Sequence, residues 1–177
     1  MNLPNKLSLL RVALIPVMVA LLYPRTDACN IAAAAVFGLA AFTDFLDGHI
    51  ARRKGLITDF GKFVDPVADK LLVLSAMVML IQHGLMLAWV TVVILARELC
   101  VDGLRLVAIS QGRVIAAGKL GKLKTVSQIV LVLWLMLSRK PIMQHWFGIV
   151  LTVWVIIITV WSGVDYFVRN AAAIANK

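Results

Sequence analysis

Four aspartates stand in two closely spaced pairs, Asp44 with Asp47 and Asp65 with Asp69. The members of a pair are three or four residues apart, so on an α-helix each pair occupies one face. If the two helices are antiparallel neighbours, the four carboxylates converge at one end of both. An all-oxygen ligand set selects hard divalent cations such as Mg²⁺, Mn²⁺ or Ca²⁺. The spacing therefore predicts a site for a pair of divalent cations, which could balance the carboxylates and still polarise a pyrophosphate.

Small and basic residues accompany these acids. Gly48, Ala51 and Gly61 are positions at which the backbone could approach a bulky ligand, although small residues also mediate close helix packing in membranes. The planar guanidinium of Arg52 is suited to a phosphate oxygen, although a basic residue here can equally anchor a cytoplasmic loop. From these residue types alone, both interpretations stay open.

The segments that must position these residues are apolar. Of the 177 residues, 62% are hydrophobic and the mean hydropathy is +0.93, against roughly 45–50% apolar residues in an ordinary soluble domain. At about 20 residues per membrane-spanning helix, six spans leave room for short loops and for no separate soluble domain. We therefore predict an all-α integral membrane protein with six transmembrane helices, forming a single domain over residues 1–177. The six apolar blocks are 7–23, 31–42, 61–81, 85–109, 126–137 and 146–166. An odd number of spans would require one block to be merged or split.

Basic residues are distributed unevenly along this pattern. The chain has 18 Lys and Arg and a formal charge of +9, yet only Arg25, Arg139 and Lys140 fall in the predicted outer turns. The inner excess predicts that both termini are cytoplasmic. About the first ten residues are expected to form an interfacial segment before the chain turns inward near Val12. In a membrane protein this charge indicates inner loops and anionic membrane lipids, and we expect no nucleic acid partner.

The acidic residues are concentrated at the inner ends of the spans. Seven of the nine lie between Asp44 and Asp102. A carboxylate at membrane depth costs ~2.5 kcal/mol or more, so several together need a compensating partner or a wet cavity. Intramembrane acids also mark divalent-cation transporters, which usually place them near the midplane and often contain inverted repeats. Because these acids lie at the inner ends of the predicted spans and the sequence contains no repeat, an enzyme is favoured over a transporter.

The pattern Asp44-x2-Asp47-Gly48-x2-Ala51-Arg52-x8-Gly61-x3-Asp65-x3-Asp69 resembles the signature of the CDP-alcohol phosphotransferase family. Outside it, four stretches resemble the bacterial phosphatidylglycerophosphate synthases, a branch of that family, and extend the similarity over nearly the whole chain. They are 3–11, 65–70, 96–105 and 121–128. The sequence departs from that branch at Asp102, which affects the detail of the acceptor pocket.

The resemblance implies an enzyme of the bacterial cytoplasmic (inner) membrane, a homodimer whose site opens to the cytoplasm. The implied reaction transfers the phosphatidyl group of CDP-diacylglycerol to sn-glycerol 3-phosphate, giving phosphatidylglycerophosphate and CMP. Two divalent cations, Mg²⁺ or Mn²⁺, are implied, with Asp44, Asp47, Asp65 and Asp69 as ligands and Asp69 also as the base. The resemblance implies that the CDP-diacylglycerol site includes Asn5, Gly48, Ala51, Arg52 and Gly61.

A negatively charged acceptor also needs a cationic pocket. Arg105, Lys122 and Lys124 lie at the predicted cytoplasmic ends of the fourth and fifth spans. Glu98, Asp102 and Arg105 share one helix face, so a carboxylate of the same helix could orient Arg105. The lysines could instead bind anionic headgroups only. Within the family, phosphatidylglycerol, as in a cardiolipin synthase, or inositol phosphate are the alternative acceptors.

Overall fold

The structure, a computed structural model, describes residues 3–54, 59–110 and 118–171, with side chains described over 7–43, 67–110 and 118–171. These ranges are helical throughout apart from short turns, and they contain no strand, as the hydrophobic blocks predict. The elements are α1 (Leu3–Leu22), α2 (Asp27–Lys54), α3 (Asp59–Gln82), α4 (Ala88–Ser110), α5 (Lys119–Ser138), a 3₁₀ turn (Ile142–Gln144) and α6 (Trp146–Asn170). They fall into two compact units. The first comprises Met1–Met86 with Val132–Pro141, and the second comprises Leu87–Leu131 with Ile142–Lys177.

Helix α2 is longer than its apolar block. The second apolar block ends at Phe42, yet α2 stays helical as far as Lys54. Between Asp47 and Lys54 the weakest helix former is Gly48, and one interior glycine costs only about 1 kcal/mol. The last three residues of α2 are basic, and basic residues are generally favoured near a helix C-terminus. The positions of the first aspartate pair therefore lie inside a helix.

Helix α1 also differs from the expectation. The turn predicted near Val12 does not occur, because α1 runs unbroken from Leu3 to Leu22 and includes Pro16. Arg11, in the same helix, has a side chain that is only 1% exposed. The residues expected at the membrane interface and those of the first apolar block thus form one continuous helix.

In the first unit, α1 packs against both α2 and α3, and α2 also contacts α3. The contact surface of α2 carries alanines, which let helix backbones approach closely. The buried apolar side chains include Met18, Leu22, Ala33, Phe37, Ala40, Leu72, Ala76, Met77 and Leu80. This core fixes α1, α2 and α3 as one group of helices.

A cluster of polar contacts closes one end of the first unit. Arg139 forms an ion pair with Asp27, and its Nη2 donates to the carbonyl oxygen of Arg25 at 2.8 Å. Arg25 Nη2 in turn donates to the carbonyl oxygen of Gln82 at 3.1 Å. The start of α2 and the end of α3 therefore meet at this end, and the two helices run in opposite directions.

In the second unit, α4 packs against α6, and the 3₁₀ turn also contacts α6. Val101, Leu104 and Tyr166 form a small buried core between the two helices. Polar contacts attach the first part of α5 to α6, since Trp154 Nε1 of α6 donates to Ser127 Oγ of α5 at 3.0 Å. Gln128 Nε2 also donates to Thr159 Oγ1 at 3.4 Å. Helices α4, α5 and α6 are thus connected by interhelical hydrogen bonds.

Two helices of the described ranges, α5 and α6, are long and apolar enough to cross a membrane. Helix α6 also leaves many large apolar side chains exposed, which water would disfavour and lipid would accept. Among them are Val150, Val153, Ile157, Val160, Trp161, Val164 and Val168. The exposed surface of this helix is therefore typical of a membrane protein.

Candidate functional site

The four aspartate positions of the signature lie at similar distances, measured along α2 and α3, from the polar cluster at one end of the first unit. Asp44 stands 17 residues after Asp27, and Asp65 stands 17 residues before Gln82. At 1.5 Å per residue, each position is about 26 Å from the polar cluster that joins the start of α2 to the end of α3. Asp47 and Asp69 lie within about two turns of that level. Because α2 and α3 contact each other and run in opposite directions, both pairs lie toward the same end of the unit.

Asp69 is the one predicted metal ligand whose side chain falls in the described part of the chain. It is half-buried on α3, next to the fully buried Ala68 and one turn before the buried Leu72. The other predicted residues of this site have helical backbones in α1, α2 and α3, but their side chains lie outside the described set. They are Asn5, Asp44, Asp47, Gly48, Ala51, Arg52, Gly61 and Asp65. Within the described side chains no group of three or more His, Cys, Asp or Glu is assembled.

A buried ion pair joins α4 to α5 in the second unit. Lys124 Nζ donates to Glu98 Oε1, and these two residues are 4% and 8% exposed. Arg97 Nη1 lies 3.7 Å from the other carboxylate oxygen of Glu98. A buried charge is stable only when it is paired, and here one carboxylate lies between two cations.

The side chain of Arg97 passes glycines of the two neighbouring helices. A Cβ atom at Gly163 of α6 would lie 3.2 Å from Arg97 Cγ, closer than ordinary van der Waals contact. A Cβ atom at Gly121 of α5 would lie 4.0 Å from Arg97 Nη2. The absence of a side chain at Gly163 thus leaves room for the arginine stem, which allows Arg97 to lie beside Glu98.

Arg105, the third cation on this side of α4, is held by α6. Its Nε donates to the hydroxyl oxygen of Tyr166 at 3.1 Å, and its guanidinium carbon lies 5.5 Å from the centre of that ring. The sequence predicted that a carboxylate on α4 itself would orient Arg105. In the structure Glu98 pairs with Lys124, and Tyr166 of α6 is a hydrogen-bond partner of Arg105.

The predicted acceptor residues do not all lie on one face. Lys122 is exposed, whereas Lys124, two positions later on α5, is buried. Residues two apart on a helix point in different directions. Arg105 and Lys124 lie on the inward faces of α4 and α5, and Lys122 contributes a positive charge at the surface.

Sequence reasoning assigned no role to Arg97 or Tyr166. Arg97 carried a detectable signal, because an arginine inside an apolar helix requires a partner or a polar cavity. A tyrosine near the end of an apolar helix is typical of the membrane interface, so Tyr166 gave no sign of its contact with Arg105. Only the packing of α4 against α6 shows that contact.

A family model described as CDP-alcohol phosphatidyltransferase matches residues 1–161. The chain belongs to this family. Every residue of this CDP-alcohol phosphatidyltransferase that we predict to bind the metal ions, the nucleotide or the acceptor lies inside the range that the family model matches. Gly163 and Tyr166 lie beyond it.

Curated relatives extend the similarity to the full chain. A CDP-diacylglycerol–glycerol-3-phosphate 3-phosphatidyltransferase of Bacillus subtilis (strain 168) is 42% identical over 190 residues, covering 99% of this chain and 98% of the relative. The protein of the same name from Escherichia coli (strain K12) is 39% identical, with 99% and 98% covered. A probable phosphatidylglycerophosphate synthase of Mycobacterium tuberculosis (strain ATCC 25618 / H37Rv) is 44% identical, with 95% and 81% covered. The family and its apolar helices identify a membrane protein.

Proposed function

We propose that this membrane protein transfers the phosphatidyl group of CDP-diacylglycerol to sn-glycerol 3-phosphate, giving phosphatidylglycerophosphate and CMP. The observation that supports the proposal is that the signature aspartate positions lie toward the same end of the antiparallel helices α2 and α3. Two of the relatives above are named for this reaction and cover almost the whole chain. The names therefore support the acceptor, and the helix geometry supports the chemistry.

The proposed topology has six membrane spans, both termini in the cytoplasm and the site facing the cytoplasm across a bacterial inner membrane. Arg25 and Arg139, two of the three basic residues predicted outside, lie together at one end of the first unit. The signature aspartates lie toward the other end. This arrangement supports an inner, basic and catalytic side opposite a sparsely charged outer side.

The chemistry of the donor set fits divalent metal ions. Four carboxylates on two adjacent helices are hard oxygen ligands, which suit Mg²⁺ or Mn²⁺. In this proposal Asp44, Asp47, Asp65 and Asp69 would hold two such ions. The ions supply charge neutralisation for the transferring phosphoryl group and the leaving nucleotide.

The protein's own residues position the reactants. The acceptor hydroxyl oxygen forms a bond to the phosphorus of the phosphatidyl group while the bond from that phosphorus to CMP breaks. Asp69 takes the hydroxyl proton, and CMP leaves with the bonding electron pair. Gly48, Ala51 and Gly61 leave space for the nucleotide, while Asn5 and Arg52 contact CDP-diacylglycerol.

The acceptor phosphate is proposed to bind the cations of the second unit. Arg105, with its planar guanidinium fixed by Tyr166, and Lys124 would contact the phosphate oxygens. The exposed Lys122 would raise the local positive potential. The functional molecule is proposed to be a homodimer.

The test is product identification with purified full-length protein in detergent micelles containing CDP-diacylglycerol. Glycerol 3-phosphate, phosphatidylglycerol and inositol phosphate are supplied separately, with Mg²⁺ or Mn²⁺, and CMP release and lipid products are measured. We expect phosphatidylglycerophosphate with glycerol 3-phosphate alone, and loss of turnover when the metal is chelated. A product with another acceptor only would contradict the acceptor assignment. Metal flux through vesicles without CMP release would indicate a transporter.

A further inference from the structure

Glu98 is a buried carboxylate that the proposed reaction does not use directly. It lies on α4, and its side chain is 11% exposed. Its partners are two cations, Lys124 from α5 and the adjacent Arg97. An acidic residue in an apolar helix marks a function more often than a structural need, because hydrophobic residues of the same volume would stabilise the helix packing equally well.

The pair controls where the Lys124 ammonium can lie. A lysine side chain has several rotatable bonds, and fixing them costs entropy of about 1.5–2 kcal/mol on burial. Contact with Glu98 offsets that cost with a charge-assisted hydrogen bond. Glu98 thus keeps the Lys124 ammonium oriented in the second turn of α5.

The charged side chains around Glu98 have a net positive charge, which favours binding of an anion. Arg97, Glu98 and Lys124 together carry one net positive charge, and the opposite charges of Arg105 and Asp102 on α4 leave that balance unchanged. Arg97 is restrained by the close approach of Gly163, and Arg105 is held by Tyr166. Each cation of this group is therefore positioned by a contact within α4 or from a neighbouring helix.

We propose that Glu98 is a positioning residue of the acceptor site, whose carboxylate holds the Lys124 ammonium in place to bind the phosphate of the acceptor. The inference rests on the proposed function, because it concerns the same acceptor. It adds a residue that touches no substrate and acts through Lys124.

The first test is Glu98→Gln, which keeps the size and one hydrogen-bond acceptor of the side chain but removes its charge. We expect the KM for glycerol 3-phosphate to rise about tenfold or more, as for the loss of one charge-assisted hydrogen bond. The KM for CDP-diacylglycerol should stay within twofold of the wild-type value. A lower thermal midpoint with both KM values unchanged would show that Glu98 is only structural, and would overturn the proposal.

The second test is the charge swap Glu98→Lys with Lys124→Glu. The swap restores an ion pair between α4 and α5 but moves the ammonium from one helix to the other. We expect the thermal midpoint to recover relative to Glu98→Gln while the KM for glycerol 3-phosphate stays high. Recovery of that KM together with the midpoint would overturn the proposal, since any ion pair at this place would then suffice.

Glu98→Asp is the variant to use if neither of these accumulates in membranes. It keeps the charge but withdraws the carboxylate by one methylene, and we expect the same selective rise in KM for glycerol 3-phosphate. An unchanged KM would count against positioning. The matched control is Ser127→Ala, which removes the hydrogen bond from Trp154 to α5 and should leave both KM values unaltered.

These outcomes separate the two proposals. If the wild-type protein releases no CMP with glycerol 3-phosphate, the proposed function is wrong. If the wild-type protein is active and the Glu98 variants change both KM values equally, the function stands and the positioning role of Glu98 is wrong.

Discussion

At the scale of single residues, Asp69 combines a half-buried carboxylate with a position toward the end of α3 that is proposed to be catalytic. It lies between buried Ala68 and Leu72, so its side chain has fewer directions available than that of a surface aspartate. A restrained carboxylate that lies near the acceptor, as proposed for Asp69, is suited to accept a proton from it. This is the residue at which the proposed chemistry is most directly tested.

Asp69→Asn should lower kcat by about 10²–10⁴-fold, the range expected when a general base is removed. Binding of CDP-diacylglycerol should remain detectable, because the amide keeps the shape of the side chain. Single-turnover CMP release and equilibrium binding of the lipid donor measure the two effects. The matched control is Asp165→Asn, which removes an ion pair to Arg169 within α6 and should leave kcat unchanged. Near-normal turnover of the Asp69 variant would exclude it as the base.

Arg105→Ala should raise the KM for glycerol 3-phosphate more than that for CDP-diacylglycerol, because the arginine is proposed to bind only the acceptor. Loss of a charged hydrogen-bond donor predicts a change of about tenfold or more. Tyr166→Phe keeps the ring and removes only the hydroxyl that fixes Arg105, so a smaller rise in the same KM is expected. Steady-state kinetics with each substrate varied in turn measure both. Equal changes in the two KM values would place Arg105 outside the acceptor site.

At the scale of helices, the packing of the second unit depends on a glycine, which has no side chain. Helix α6 passes α4 with Gly163 beside the stem of Arg97. Arg97 lies beside Glu98, which in turn binds α5. A methyl group at this glycine would therefore push on the arginine and, through it, on the ion pair between α4 and α5.

Gly163→Ala should lower the free energy of unfolding by about 1–3 kcal/mol, the usual effect of overpacking. Gly103→Ala is the matched control, because it is also a helical glycine but has open space around its Cβ position. It should raise stability by up to about 1 kcal/mol, since alanine is the better helix former. Thermal unfolding in detergent measures both. A stabilising effect at both positions would show that Arg97 moves aside freely.

The turn after α3 introduces a dependence on pH. Partial burial and the nearby charge of Arg25 lower the pKa of His83 below its usual 6.5. The folded protein therefore binds this proton less readily than the unfolded chain, and its stability should decrease as the pH falls below about 6.5. His83→Gln should reduce that decrease. Thermal midpoints of both proteins between pH 8 and pH 5, roughly the window in which histidine titrates, measure the difference, and identical pH profiles would contradict the prediction.

At the scale of the whole molecule, the distribution of charge is the feature that determines orientation in the membrane. Arg25 and Arg139 contact each other at one end of the first unit, and Lys140 follows directly in the chain. The signature aspartates lie toward the opposite end. The proposed orientation therefore places the few basic residues of the outer turns together on the outer side. It places the end with the signature aspartates on the cytoplasmic side.

Labelling of single cysteines tests this orientation in intact cells. In a protein with Cys29 and Cys100 replaced by serine, Lys140→Cys should react with a maleimide that cannot cross membranes. Cysteines added at either terminus should react only after the membrane is opened, because both termini are proposed to be cytoplasmic. Reaction of a terminal cysteine from outside would contradict the six-span topology.

The amino-acid sequence alone determined the helical class, the approximate positions of the helices and the pairing of the aspartates within each helix. These properties depend on local periodicity, on hydrophobicity and on residues three or four apart. It misplaced the end of α2 and the course of α1, because a weak helix former or a basic residue does not end a helix that tertiary contacts stabilise. The binding of Lys124 to Glu98, the contact of Tyr166 with Arg105 and the passage of Arg97 across Gly163 were decided only by the tertiary structure. Each joins residues distant in sequence, and helix packing alone selects among the partners that a buried charge can take.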